Sequence, residues 1–282
     1  MGIQIVIDST TDLPAQAAEQ VKIVPLTIHF GEQQYVSGVD IDARSFYEKL
    51  VESDVLPTTS QPTPAAFADV FQAAVEAGDE VVCITISSKL SGTFQSASIA
   101  AMDFPGKVFV VDSRTVTLGC GILTQYALEL AKQDISAREL AERVEKKREK
   151  VRLLALLDTL EYLKKGGRIS ATVAFAGGLL NIKPVICVAE GEVKLLGKAR
   201  GFRQGSNLLM QQIEKAGGLD FEMPMLLGYT GLSDAMLKKY MEDSAQLWQG
   251  RVDSLPVSIV GSVVGTHAGP GAVAVAFFSA GE

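Results

Sequence analysis

Three features predict an α/β fold in two domains. Val- and Ile-rich runs alternate with helical periodicity through the first half. The pattern changes to strand–turn–strand and long helices after position 150. The length of 282 residues exceeds the ~100–200 residues of an ordinary single core. The expected organisation is a mostly parallel sheet flanked by helices over residues 1–150, followed by an α+β domain with a mixed or antiparallel sheet over residues 151–282.

Taken in order, residues 3–7, 23–30, 80–86, 107–111 and 153–157 read as buried strands. Residues 43–52, 64–77, 92–101, 116–132 and 137–151 carry helical spacing. Such alternation builds a parallel sheet with helices on both faces, and its ligands gather beyond the carboxyl ends of the strands. In the second half, 185–189 and 193–197 flank Glu190-Gly191-Glu192 as a hairpin. Helices near 205–216 and 233–249, a strand near 223–229 and the alternating run 272–277 complete the reading.

Composition narrows the function. A hydrophobic content of 47% with 21% charged residues is that of a globular chain. The net charge of −7 argues against nucleic acid, which demands a concentrated basic surface. The charge-dense stretch 139–152 alternates sign around Leu140, Val144 and Val151, the pattern of a solvated helix face. No run has transmembrane length, and the first residues read as a strand rather than a signal peptide, so a cytoplasmic protein is expected. Cys83, Cys120 and Cys187 are an odd number without paired spacing, which predicts free apolar thiols and no metal site.

Hydroxyl-rich loops follow three strands, Asp8-Ser9-Thr10-Thr11-Asp12-Leu13-Pro14, Ser87-Ser88-Lys89-Leu90-Ser91-Gly92-Thr93 and Asp112-Ser113-Arg114-Thr115, and a fourth, Thr58-Thr59-Ser60-Gln61-Pro62-Thr63-Pro64, opens a helix. Taken singly, each reads as helix capping, as Thr63 before Pro64 does. Ser91-Gly92-Thr93 also suits an anion, because Ser91 stands where a helix starts and Gly92 permits close approach to the backbone. His29 reads as a packed strand residue. His267, in a glycine-bounded loop, reads equally as turn or ligand contact. Nucleotide and hydrolase motifs are missing, and Gly119-Cys120-Gly121 does not extend to a dinucleotide fingerprint. A rival reading makes Asp8, Asp12 and Asp112 the metal or acid–base cluster of a phosphotransferase-like enzyme. The stretch 171–180, if helical, has no polar face and is expected in the core or walling an apolar cavity.

Together these stretches, with Leu160-Glu161-Tyr162-Leu163-Lys164-Lys165-Gly166-Gly167-Arg168-Ile169, Asn181-Ile182-Lys183-Pro184 and the loop 265–271, resemble the DegV family of bacterial fatty-acid-binding proteins over essentially the whole chain. The resemblance implies two domains holding one long-chain fatty acid such as palmitate, stearate or oleate, with no cofactor and no catalysis by this chain. It implies a carboxylate site at Thr59, Ser91 and Gly92, with His267 and Arg168 nearby and Arg200 as a further candidate. It further implies a separate fatty acid kinase catalytic subunit, which receives the bound acid and phosphorylates it with ATP. Transient contact with a membrane surface is compatible with such a role.

Overall fold

The computed structural model describes residues 2–170 and 181–281. In chain order its strands are β1 (Ile3–Asp8), β2 (Lys22–Val24), β3 (Thr27–Phe30), β4 (Gln33–Val36), β5 (Thr58–Ser60), β6 (Glu80–Thr85), β7 (Val108–Asp112), β8 (Val151–Leu156), β9 (Ile182–Ala189), β10 (Glu192–Arg200), β11 (Leu226–Tyr229), β12 (Val257–Ile259) and β13 (Val273–Phe278). They form a parallel sheet in the order β2–β1–β6–β7, a small antiparallel sheet β4–β3–β5, and a six-stranded sheet β10–β9–β8–β13–β11–β12. The large sheet is mixed, since β11 runs parallel to β12 and the other neighbours are antiparallel.

The α/β reading holds, and its departures have local causes. The strand expected over 23–30 is two strands in different sheets. Pro25 has no N–H to continue a ladder, and the chain turns there, with the Leu26 N–H donating to Ser9 Oγ at 2.9 Å. The polar segments Gln33–Val36 and Thr58–Ser60 carry too little apolar alternation to be read as strands, yet both pair with β3. The glycine-rich loop expected around His267 is a helix, Ser262–Ala268, stopped by Gly269 at φ +70. The helix expected over 233–249 ends at Asp243 and gives way to a 3₁₀ turn. The charged stretch behaves as expected: Ser136 caps Ala137–Lys147, Leu140, Ala141 and Val144 are buried, and Arg143 pairs with Glu139 at 2.6 Å on the outer face.

The principal core lies between the parallel sheet and the large sheet. Its centre is the helix Leu118–Leu130, with nine of thirteen residues buried and contacts to β1, β6, β8, β11 and β13. Gly119 and Gly121 make this possible: a Cβ on Gly121 would collide with the Asp12 carbonyl oxygen, and one on Gly119 with the Thr115 hydroxyl. The Gly-Cys-Gly run thus serves close helix packing rather than a phosphate. Polar ties fix the first half against the second: Tyr47 Oη donates to the Val260 carbonyl at 3.0 Å, Ser87 Oγ to the Gly191 carbonyl at 2.7 Å, and the Gly261 N–H to Asp12 Oδ1 at 2.9 Å. Among the described residues no helix is long and apolar enough to cross a membrane.

Candidate functional site

Beyond the carboxyl ends of β1, β2, β6 and β7 lies an interior cavity of about 100 Å³, roofed by the large sheet. Each of the four strand ends contributes to it, through Thr10, Leu26, Ile86 with Leu90 and Ser91, and Val116 with Thr117. The opposite wall draws on every strand of the large sheet or its end, from Val193 on β10, through Ile186, Ala155, Ala274 and Gly228, to Val260 just past β12. Most of this lining is Leu, Ile, Val and Ala. The stretch 171–180, expected in the core or walling such a cavity, lies outside the described residues.

Four of the five expected site residues border this space: Thr59, Ser91, Arg168 and His267. Thr59 reaches it because β5 pairs with β3 in a register that turns Thr59 inward and Thr58 and Ser60 outward. Ser91 stands at the head of the helix Thr93–Ala101. Its Oγ accepts from the Thr93 N–H at 3.3 Å and lies 2.9 Å from Thr93 Oγ1, so a local turn bond just before the Gly92 N-cap and a place on the cavity wall coincide. Gly92 is not part of the lining. The space over its Cα is filled by the Gln61 amide, which an added Cβ would strike, and Gln61 Nε2 donates to Ser96 Oγ at 3.0 Å. Arg200 ends β10, its backbone N–H donating to Gln204 Oε1 at 3.2 Å, and it does not border the cavity.

His267 and Thr59 meet at 3.0 Å, imidazole Nε2 to hydroxyl. The other ring nitrogen, Nδ1, is buried without a hydrogen-bond partner among the described residues and faces Gly166, where any Cβ would overlap it. Burial first, and the Arg168 charge second, push the imidazole from its ordinary 6.5 down to about 4, so the ring is neutral at pH 7. A neutral ring carries one proton. An orphaned buried N–H is rarer than an unfilled acceptor, which favours the proton on Nε2 and leaves a lone pair on Nδ1. Nε2 then donates to Thr59, and the Thr59 hydroxyl keeps its own proton to donate into the cavity. Arg168 is held by backbone from both halves, Nε donating to the Leu90 carbonyl at 3.2 Å and Nη1 to the Gly166 carbonyl at 2.5 Å.

Thr10, Thr117 and Thr230 also border the cavity; Thr10 and Thr117 spend their protons on carboxylates, whereas Thr230 accepts and keeps its proton to donate. Thr10 donates to Asp8 at 2.5 Å, Thr117 donates to Asp12, and Thr230 Oγ1 accepts from the Ala272 N–H at 2.8 Å. Thr230 escaped the sequence reading. Its only signal was the Tyr-Thr-Gly run closing a strand.

The acids of the rival reading are committed to loop architecture. Asp8 accepts from the N–H groups of Thr10 and Ile86 at 2.9 and 2.7 Å. Asp12 accepts from Thr117 and Gly261. Asp112 accepts from the Ser88 and Arg114 N–H groups and from Ser88 Oγ. Among the described residues no three His, Cys, Asp or Glu side chains are grouped to hold a metal ion. Burial raises the Asp8 carboxyl above its ordinary value against those hydrogen bonds, and raises Asp12 from 3.8 to about 7. Thr117, beside Asp12, takes φ +49, a costly angle for a β-branched residue.

This combination of a two-sheet α/β fold and an apolar cavity with a polar, basic corner defines a class of small-molecule-binding α/β proteins. Comparison with known proteins identifies the family. Residues 2–280 match the model described as "Uncharacterised protein, DegV family". A DegV domain-containing protein of Deinococcus radiodurans is 38% identical, with 98% of each chain covered. Among solved structures, one titled as fatty acid binding of a DegV family protein from Thermus thermophilus is 34% identical with a TM-score of 0.87, covering 99% of this chain and 100% of that one. DegV of Bacillus subtilis, titled a fatty acid binding protein, is 30% identical with a TM-score of 0.83 and 98% coverage of both chains. The chain belongs to the DegV family.

Proposed function

We propose that this protein binds one long-chain fatty acid, its tail in the cavity under the large sheet and its carboxylate at Thr59, Ser91, Arg168 and His267, with the Gly92 backbone adjacent. The observation that carries this reading is the cavity itself, an apolar space whose free hydroxyls, guanidinium and neutral imidazole converge at one corner. The Thermus and Bacillus fatty acid-binding proteins support the same ligand class, as does a stearic acid-binding protein from Eubacterium ventriosum that is 29% identical with a TM-score of 0.85.

The lining spans the width of the large sheet. Six strands ~4.8 Å apart give the sheet a width of roughly 24 Å. An extended alkyl chain advances about 1.25 Å per carbon, given bonds of ~1.5 Å. An extended chain of sixteen to eighteen carbons is comparable in length with that width, and at about 0.8 kcal/mol per buried CH₂ the tail contributes on the order of 10 kcal/mol before the costs of association. A buried carboxylate needs donors, which the corner supplies.

In this reading the chain needs no cofactor and catalyses nothing alone. It is a cytoplasmic carrier that takes up its acid through transient contact with a membrane surface. It then offers the carboxylate to a separate ATP-dependent fatty acid kinase at the seam between the two halves, which divide at residues 150 and 151. The deciding experiment is organic extraction of the purified protein with mass spectrometry of the lipid, followed by titration of the stripped protein. One fatty acid per chain is expected. A protein that carries none and refuses added palmitate and oleate rules the reading out.

A further inference from the structure

The cavity under the large sheet shares part of its lining with a second space. Leu153, Cys187 and Val188 border the cavity, and the same three residues border a groove of about 430 Å³ on the other side. The groove exists because two neighbouring strands part. The β8–β9 ladder runs from Leu156↔Val185 to Leu153↔Val188 and stops there. Beyond that point β8 stays with β13, Val151 opposite Phe278, while β9 stays with β10, Ala189 opposite Glu192. Val151 and Arg152 on one side and Ala189 and Glu190 on the other line the slot that is left.

We propose that the cavity is a tunnel with a second mouth at this slot, and that the cross-strand pair Leu153 and Val188 sets how long an acyl chain the protein accepts. The inference rests on the fatty-acid reading and adds a length determinant to it. Leu153 and Val188 stand directly opposite each other on the face that packs into the principal core, their Cβ atoms about 4.5–5.5 Å apart in such a pair. Past them the surroundings change from apolar to ionic. Arg114 pairs with Glu149 at 2.9 Å, Arg148 donates to the Asp112 carbonyl at 2.6 Å, and Arg152 donates to the Glu149 carbonyl at 2.8 Å. A methylene that reaches this rim lies among charged guanidinium and carboxylate groups and gains little from leaving water. Affinity therefore rises with each carbon up to the Leu153–Val188 pair and stops rising beyond it.

The test is a length series of myristate, palmitate, stearate, arachidate and behenate titrated into the full chain and into Val188→Trp and Leu153→Ala. Val188→Trp is expected to lose stearate affinity by about tenfold or more while keeping myristate, and Leu153→Ala to gain arachidate and behenate. A second reading needs no variant. Cys187 borders the slot and is partly exposed, whereas Cys83 and Cys120 are fully buried, so alkylation by iodoacetamide reports on Cys187 alone. Bound arachidate is expected to slow that alkylation, and bound myristate to leave it unchanged. Folded variants with the wild-type length profile, or a Cys187 rate indifferent to acyl length, overturn the second mouth while leaving fatty-acid binding intact. A wild-type protein that binds no acid of the series overturns the binding reading itself.

Discussion

Thr59 on β5 and His267 on the helix Ser262–Ala268 stand 208 positions apart in the chain and 3.0 Å apart in space. The bond joins the small sheet of the first half to a helix of the second, and it does so at the polar corner of the cavity. With the proton of the neutral ring on Nε2, the arrangement favoured by the unpartnered Nδ1, the Thr59 hydroxyl remains a donor. In the proposed carboxylate site, the pair would supply one oriented proton without adding a charge.

That geometry predicts the effect of deleting hydroxyls. Thr59→Ala and Ser91→Ala should each weaken fatty-acid binding by about 0.5–1.5 kcal/mol, rising to about 3 kcal/mol where the carboxylate is left short of donors. Thr59→Val, which keeps the shape and β-branching, should lose as much as Thr59→Ala. Calorimetric titration with palmitate decides it. Wild-type affinity in both Thr59 variants and in Ser91→Ala would place the carboxylate elsewhere.

Gly166 is predicted to be intolerant of any side chain. A Cβ there overlaps His267 Nδ1, and the opposite side of the loop is closed by Tyr162 against Gly269. Gly166→Ala should displace the ring, costing about 1–3 kcal/mol of stability by overpacking and breaking the His267–Thr59 bond. The measurements are the thermal midpoint and the His267 imidazole resonances. Gly167→Ala serves as comparison, since φ +71 strains an alanine there but no atom lies in its way.

The strands and helices of the first half were legible because each is a strongly apolar run or a capped periodic segment, as at Thr63–Pro64 and Ser136. Short polar strands were not. Thr58-Thr59-Ser60 is a strand only because β3 lies beside it, a tertiary fact with no local signature. Thr59, Ser91, Arg168 and His267 were named through motif resemblance, and their convergence depends on contacts across most of the chain. Gly92, whose place near a ligand the resemblance implies, also lets the Gln61 amide sit over its Cα. Nothing in the local sequence of Gln61 announces this.

Stability should respond to pH through buried groups of opposite sign, with Asp8 and Asp12 raised and His267 lowered. Asp12 is raised from 3.8 to about 7, so between these values the folded chain holds a proton that the unfolded chain has released, and stability falls as pH rises. His267 is lowered from 6.5 to about 4, so the unfolded chain holds the extra proton over that range, and stability rises with pH. Asp12→Asn should remove the first contribution, which is on the order of 4 kcal/mol at full development. Its amide can still accept from the Gly261 N–H and donate to Thr117. Thermal midpoints from pH 4 to 8 are the check. The gap between Asp12→Asn and wild type should widen toward pH 7, and a constant gap would remove Asp12 as the titrating group.

Arg168 is predicted to act on the ligand and on His267 together. Its guanidinium is permanently charged, is held by the carbonyls of Leu90 and Gly166, and borders the cavity. Its charge is the second cause of the low imidazole value, after burial. Arg168→Gln should therefore let the His267 titration move up from about 4, while burial keeps it below the ordinary 6.5. The same variant should lose fatty-acid affinity by about 1.5–3 kcal/mol, the range for a hydrogen bond to a charged group. Arg168→Lys should recover part of the affinity but not the forked geometry. An NMR titration of the His267 ring and a palmitate titration read the two effects separately. If the imidazole value moves and palmitate affinity does not, Arg168 serves a partner surface rather than the carboxylate, and a reconstituted kinase assay should then show the loss.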